Sequence, residues 1–414
     1  MSLRLLSAVG LAVLILLAWA LSENRRRADW RLVGIGVALQ VALGLLILRT
    51  GFGNAFFSAI QSAFMVITAA ANEGAHFVFG NLAGEFTLTP EAVVGADEPF
   101  LINAAFAFSV LPIVIVVSSI AAVLYHLRII PFAVNLMARL MRRTLKTSGA
   151  ETFGATLLVF LGIESIPTLR GYLKTMTRSE LCTIMTVFMA TIAADVMVIY
   201  AGFGAEPGHL MAASLMSAPA AILIAKLLVP ETEKAVTRES ADIRIERETA
   251  NVVDAAAKGA SEGVHLAINI AALLIAFISI VFLLNQGLAA VTGKTFTEVM
   301  GWFFYPFAFL MGVPSGDVGA VAQLLGTKTV INEFLAYADM QTMIAAGMLE
   351  PRSVTIATYA LCGFANPGSL AILIAGLSAL VPERRKDIAR LGGKAFIGGT
   401  LAGFTTACIA GILA

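Results

Sequence analysis

The sequence predicts an all-α polytopic membrane protein: about eight transmembrane helices, two re-entrant hairpins in inverted repeats, and helices along the interface. Three observations lead there. Of 414 residues, 58% are hydrophobic and 13% charged, against about 25% charged in soluble domains, and the mean hydropathy is +0.87. Runs such as "LRLLSAVGLAVLILLAWAL", "LVGIGVALQVALGLLIL" and "AINIAALLIAFISIVFLL" reach the roughly 17–25 residues a bilayer requires. Basic clusters recur with acidic segments between them, as they do when loops alternate between membrane faces. The net charge of +1 offers no basic field for nucleic acid. Cys182, Cys362 and Cys408 stand far apart in apolar stretches, which suits buried small hydrophobes rather than a metal or disulfide framework. The four histidines are equally scattered.

The first span lies near 3–21. Arg4, the apolar run and "AWA" imitate a signal peptide, but Arg25, Arg26, Arg27 and Arg31 follow at once. Such a cluster resists translocation, so the run is a retained helix with its N-terminus outside. A second span lies near 32–49. Residues 52–80 are amphipathic and suit an interfacial helix. A third span, near 102–125, is followed by "HLRIIPFAVNLMARLMRRTLK", whose 130–148 portion is again amphipathic. Further spans lie near 178–201, 207–229, 264–288, 353–379 and 393–413. The arginine cluster after the first span, the one after 125 and "PERRKDIARLGGK" belong in the cytoplasm. The acidic Glu85–Glu98 segment and "GAEPGH" belong outside, so both termini do as well.

Two apolar pieces, 150–174 and 303–337, hold too much Gly, Pro and charge to cross as plain helices. Each starts and ends at one face by the charge count, which makes it a re-entrant hairpin. They occupy matching places in the two halves and enter from opposite sides, the pattern of an inverted repeat whose broken segments meet at a transporter's site. Broken backbone at membrane depth persists only where it lines protein or a water-filled cavity.

Three acids fall on these pieces, Glu164 in "FLGIESIPTLR", Asp317 in "MGVPSGD" and Glu333 in "TKTVINEFLAY", and a fourth, Asp195 in "MATIAADVMVIY", falls on the span between them. Asn366 and Ser369 add polar groups where Pro367 and Gly368 break a span. Each acid also has a structural reading. Asp317 suits a helix cap, Glu333 an ion pair with Lys328, Asp195 a kink amide, and Glu164 a cap within its own hairpin. Together, on broken segments in both halves, they point to a site, because an acid at mid-bilayer costs about 2.5–3.5 kcal/mol.

From about residue 100 onward the chain resembles the concentrative nucleoside transporters in "PFAFLMGVP", "LLGTKTVINEFLAY", "CGFAN" and "NVVDAAAKGASEGVHLAINIAALLIAF". The first 100 residues match only in layout. The resemblance implies a homotrimer whose subunits combine a scaffold with a moving transport domain. By that likeness residues 1–148 are mainly scaffold, 149–230 the first transport repeat, 231–290 a linker and long scaffold span, and 291–414 the second repeat. It also implies that Glu333, Asn366, Ser369 and Phe364 hold a ribose, while Gly162, Ile163, Glu164, Ser165 and Val196 face the base. The chain departs from the family at two places. Where the family has Gly-Gln-Thr-Glu-Ala-Pro, this chain has Ile163, Glu164 and Ser165 after Gly162, so base recognition does not carry over. Where sodium-coupled members place an asparagine ligand, it has Leu158; Thr191 stands where they place a serine ligand. Asp195 replaces a small residue opposite the altered hairpin.

The expected function is therefore nucleoside import by secondary symport, with no organic cofactor. Protons are the coupling ion through Asp195 or Glu164, sodium through Thr191 being the alternative. A nucleoside-like or ribosyl solute is the other substrate reading. The chain is not an enzyme, for it carries no HExxH, GxSxG or paired-Asp motif. Ligands from two hairpins suit alternating access better than a channel's charge rings. The short chain, without an animal-type extension, implies by the same resemblance a bacterial inner membrane.

Overall fold

The computed structural model describes residues 2–83, 86–88, 100–102, 106–109, 111–237 and 249–414, with side chains described within these except at 86–88, 100–102, 106, 109, 163–164 and 194–195. Helix α1 (Leu3–Ala20) starts where the Ser2 hydroxyl accepts from the Leu5 amide. Helix α2 (Trp30–Arg49) starts where Asp29 accepts from Leu32. The chain turns into α3 (Gly51–Phe79) through Gly53, whose missing side chain makes room for the Ile47 carbonyl; a Cβ there would lie 1.8 Å from that oxygen. An antiparallel ribbon of β1 (Phe86–Leu88) and β2 (Phe100–Ile102) pairs Phe86 with Ile102, in a stretch where the sequence reading gave only an acidic outer segment. Then come α4 (Phe106–Ser109), α5 (Leu111–His126) and, bent 73° from it, α6 (Ile129–Leu145). Arg128, in the left-handed region at φ 66°, makes the turn.

The remaining helices fall into two series of the same order. The first is α6, then α7 (Gly149–Leu161), a 3₁₀ run over Gly162–Leu169 and α8 (Arg170–Leu173), then α9 (Arg178–Ala190), α10 (Ala194–Gly202) and α11 (Pro207–Leu228). Helix α12 (Val252–Thr292) follows; its 41 residues extend about 60 Å at 1.5 Å per residue. The second series is α13 (Phe296–Leu310), α14 (Val318–Val330), α15 (Glu333–Ala345), α16 (Pro351–Leu361), α17 (Pro367–Leu380) and α18 (Arg385–Leu413). Each series runs interfacial-type helix, broken pair, interrupted span, continuous span.

Among the described residues six helices are long and apolar enough to cross a membrane, or seven if the bent α5–α6 pair is one span. Of the eight spans expected from the sequence, 178–201 is broken where continuous helix is expected, 353–379 is broken as Pro367 and Gly368 imply, and 102–125 yields the shorter α5, which reaches span length only with α6. The sequence reading laid 52–80 along the interface, whereas α3 passes the length and hydropathy test for a span. It also set the second hairpin at 303–337. The structure ends one helix at Leu310 and starts the broken pair at Val318, with its break at Ile331–Asn332.

Small residues fix which helices pack tightly, because only they let backbones approach this closely. A Cβ on Gly259 or Gly263 of α12 would lie 2.5 Å from the Ser118 carbonyl and 2.7 Å from the Ile115 Cα, both on α5. The N-terminal spans instead lie against the two repeats. A Cβ on Gly10 of α1 would meet the Leu310 carbonyl at 2.0 Å. Those on Gly36 and Gly44 of α2 would meet Leu223 of α11 and Leu413 of α18, each at 2.8 Å. Residues 1–148 thus divide between two packing groups. Helices α9, α11 and the second half of α18 form the apolar centre, and Cys182, Cys362 and Cys408 are buried within it or at its margin.

Candidate functional site

The two interrupted spans cross at their breaks. Helix α9 ends at Ala190 and resumes as α10 after Thr191–Ala193; α16 ends at Leu361 and resumes as α17 after Cys362–Asn366. Gly363, at φ 156°, lies against the end of α9, where a Cβ would stand 2.9 Å from the Ala190 carbonyl oxygen. Beside this crossing the Phe188 and Phe364 rings pack at 5.5 Å.

Asparagine starts both helices that resume at the site, since its side-chain oxygen can accept the orphan amides of a first turn. Asn332 accepts from Leu335 at 2.9 Å and opens α15; Asn366 accepts from Ser369 at 2.8 Å and opens α17. With its oxygen so occupied, the Asn366 amide points its NH₂ at Glu333 Oε2, 2.6 Å away, and at the Ser369 hydroxyl, 3.0 Å away. Glu333, the first residue of α15 and 1% exposed, accepts on its other oxygen from the Tyr200 hydroxyl at 2.8 Å. The Tyr200 ring stacks on Tyr337 at 4.5 Å and meets Phe334 edge-on at 5.1 Å. Lys328 does not close an ion pair with Glu333. Its fully buried ammonium donates to the Ala360 carbonyl at 2.8 Å, at the C-terminal end of α16, where a cation is favoured.

The structure therefore brings Glu333, Asn366, Ser369 and Phe364 together. At the other hairpin, Gly162 ends α7 at φ 62° and the Ser165 hydroxyl donates back to its carbonyl at 2.7 Å. Val196 is buried on α10. The side chains of Ile163, Glu164 and Asp195 lie outside the described ones; their backbones sit in the 3₁₀ run and the first turn of α10. Thr191 closes α9 and donates to the Val187 carbonyl at 2.8 Å, and Leu158 is packed in the apolar core. Asp317 makes no side-chain cap on α14; it accepts from the Glu350 amide at 2.8 Å, tying the α13–α14 turn to the start of α16. Tyr200 was not singled out from the sequence. Its only signal is that it falls one turn after Val196 on the same helical face.

A second buried polar cluster lies at the root of the first broken pair. Lys226, near the end of α11, contacts Glu151 at 2.8 Å, the Ser179 hydroxyl at 3.0 Å and Glu231 at 3.3 Å. Glu180 accepts from Ser148 and from the Thr177 amide, completing the capping box of α9. Each carboxylate in this cluster has a protein partner, so the cluster reads as an anchor between α7, α9 and α11.

Chemically, the first site presents a carboxylate, an amide and a hydroxyl within a few ångströms of one another. A carboxylate accepts from several donors while amide and hydroxyl both donate and accept, which fits a solute bearing adjacent hydroxyls. Among the described residues no group of three or more His, Cys, Asp or Glu side chains is placed to hold a metal ion.

Three family models match the chain: Na+ dependent nucleoside transporter N-terminus over residues 9–82, nucleoside recognition (Gate) over 107–207, and Na+ dependent nucleoside transporter C-terminus over 209–411. The uncharacterized transporter YutK of Bacillus subtilis is 39% identical over 413 residues, 98% of each chain. The nucleoside permease NupC of Helicobacter pylori is 36% identical over 418 residues, 99% of this chain and 97% of that one. Among solved structures, CNTnw in an inward-facing substrate-bound state superposes with a TM-score of 0.91 at 37% identity, covering all of both chains.

Proposed function

Because this chain belongs to the concentrative nucleoside transporter family, a family of multi-span membrane transporters and not of enzymes, we propose that it imports nucleosides by alternating access, holding the ribose on Glu333, Asn366, Ser369 and Phe364. The observation that carries this reading is the buried bond from Asn366 to Glu333, at 2.6 Å, which joins the break of α14–α15 to the break of α16–α17. In this reading the base faces Gly162, Ile163, Glu164, Ser165 and Val196.

Protons are the proposed coupling ion, carried by Asp195 or Glu164, since Leu158 contributes no oxygen where sodium-coupled relatives place one. The family models described as Na+ dependent favour the second reading, sodium held near Thr191, whose hydroxyl keeps acceptor capacity while donating to Val187. The proposed scaffold is mainly residues 1–148 with the long helix α12, and the two transport repeats, 149–230 and 291–414, move against it. Residues such as Ile275, Phe282 and Leu283 on α12 are 61–70% exposed; that apolar face suits lipid or two further copies in a homotrimer. A bacterial inner membrane with both termini outside completes the proposal.

Uptake of a nucleoside panel into proteoliposomes tests it, first with an imposed proton gradient and no sodium, then with sodium alone. Accumulation abolished by an uncoupler supports proton coupling, and in that case Asp195→Asn should lose accumulation while keeping exchange. Accumulation only with sodium supports the second reading. No nucleoside accumulated under either gradient would overturn the reading.

A further inference from the structure

We propose that α6 binds an anionic phospholipid, its exposed apolar stripe taking the acyl chains and an adjoining row of cations the headgroup phosphate. The helix leaves α5 at a 73° bend and presents three faces. Pro131, Val134, Met141 and Leu145 are buried. The Met141 sulfur meets the Thr156 hydroxyl of α7 at 3.9 Å, so this face rests on the first broken pair. Ile129, Phe132, Leu136 and Leu140 follow one another at helical spacing and are 50–71% exposed. Arg139, Arg142, Arg143 and Lys146 are exposed as well. At 3.6 residues per turn these cations fall within an arc of about 100°, between the apolar stripe and the buried face.

The cations have no acid to answer them. From residue 99 to residue 150 the sequence contains neither Asp nor Glu. Among the described residues none of the four forms an ion pair. Nor does the fold require this charge. The matching helix of the second repeat, α13, exposes Trp302, Phe303 and Phe309 and carries no Lys or Arg between Phe296 and Leu310. One repeat therefore has an aromatic helix at this place and the other a basic one.

An occupant has to answer both exposed faces of α6 at once. A soluble phosphate would answer the arginines but not the stripe, and a lipid without net charge the stripe but not the arginines. A phospholipid with a negative headgroup answers both, its chains along Phe132 and Leu136 and its phosphate oxygens on the planar arginine forks. Four or more Lys and Arg on an amphipathic helix attract such headgroups, each cation raising the affinity about fivefold. Because Ser148 caps α7 directly after α6, a lipid held there also ties the first broken pair to the plane of the membrane. The inference does not depend on which solute is carried.

The test is lipid retention by the purified protein, followed by native mass spectrometry. Phosphatidylglycerol and phosphatidylcholine of the same acyl chains are titrated separately into the wild type and into the triple variant Arg139→Gln, Arg142→Gln, Arg143→Gln. The wild type should prefer phosphatidylglycerol at least about tenfold, and the variant should bind the two lipids alike. Equal binding of both lipids by the wild type would overturn the proposal, as would the wild-type preference kept in the variant. Displacement of phosphatidylglycerol by inorganic phosphate would overturn it too, by marking an anion site that needs no lipid. If the triple variant does not accumulate in the membrane, Arg143→Gln alone leaves the other cations in place. Its preference should fall about fivefold, and an unchanged preference overturns the proposal.

Discussion

Asn366 serves Glu333 and its own helix with the two ends of one amide: its oxygen accepts from the Ser369 amide at 2.8 Å to start α17, and its nitrogen donates to Glu333 at 2.6 Å. The cap decides which end faces the acid. A helix start and a binding site are thereby made by the same side chain, and substitutions can separate the two roles.

Asn366→Ser keeps a capping oxygen but removes the NH₂ that reaches Glu333. The expected outcome is a protein of near wild-type melting temperature whose nucleoside KM rises at least about tenfold, the scale of a hydrogen bond to a charged group. Asn366→Ala loses the cap as well, about 1 kcal/mol of stability, which appears as a lower melting temperature in addition. Equal melting of the two variants would separate Asn366 from the start of α17.

The crossing of the two breaks depends on Gly363. Alanine there would be strained at φ 156° and would bring its Cβ to 2.9 Å from the Ala190 carbonyl, forcing the breaks apart. Gly363→Ala should destabilise the protein by about 1–3 kcal/mol and depress uptake, since the ligands on both sides of the crossing shift. Unaltered melting and uptake would mean that the breaks tolerate separation.

Lys226 holds a buried acid that has no other cation partner among the described residues. Glu151 is 1% exposed, and the 2.8 Å contact with Lys226 is a charge contact rather than an aligned hydrogen bond. Lys226→Met would leave that charge buried and alone, which costs about 3–5 kcal/mol, while replacing both partners is far less damaging. Thermal melting in detergent should show Lys226→Met strongly destabilised and the double variant Lys226→Met with Glu151→Gln partly restored. A single variant as stable as the wild type would remove Lys226 from the anchor.

How much of this was legible depended on which residues break each segment. The interruption before α17 was readable because Pro367 and Gly368 mark it, and Gly162 with Pro167 marked the first broken pair. The interruption between α9 and α10 was not, since "ATIAAD" contains neither Gly nor Pro and reads as uninterrupted apolar helix. Tertiary packing against Gly363 accompanies that break, and it leaves no local mark. The second pair was misplaced for the opposite reason. Pro306 sits inside α13 and Pro314 in the turn after it, so the strongest breakers lie away from the break that carries Glu333. The true break is signalled only by Asn332, a capping residue before an acid. Tyr200 carries no local mark, because a tyrosine in an apolar span looks like core; its hydroxyl matters only once α10 and α15 are side by side.

The measurement that tests the central claim most directly is nucleoside uptake by Glu333→Gln beside the wild type, at matched amounts in proteoliposomes under the gradient that drives the wild type. Glutamine keeps the size of the side chain and one carbonyl acceptor but loses the charge and half the acceptor capacity. Saturable uptake should be abolished in the variant, with membrane insertion and melting preserved. Uptake by Glu333→Gln with wild-type KM and rate would contradict the assignment of Glu333 as the ribose anchor, and with it the site built around Asn366 and Ser369.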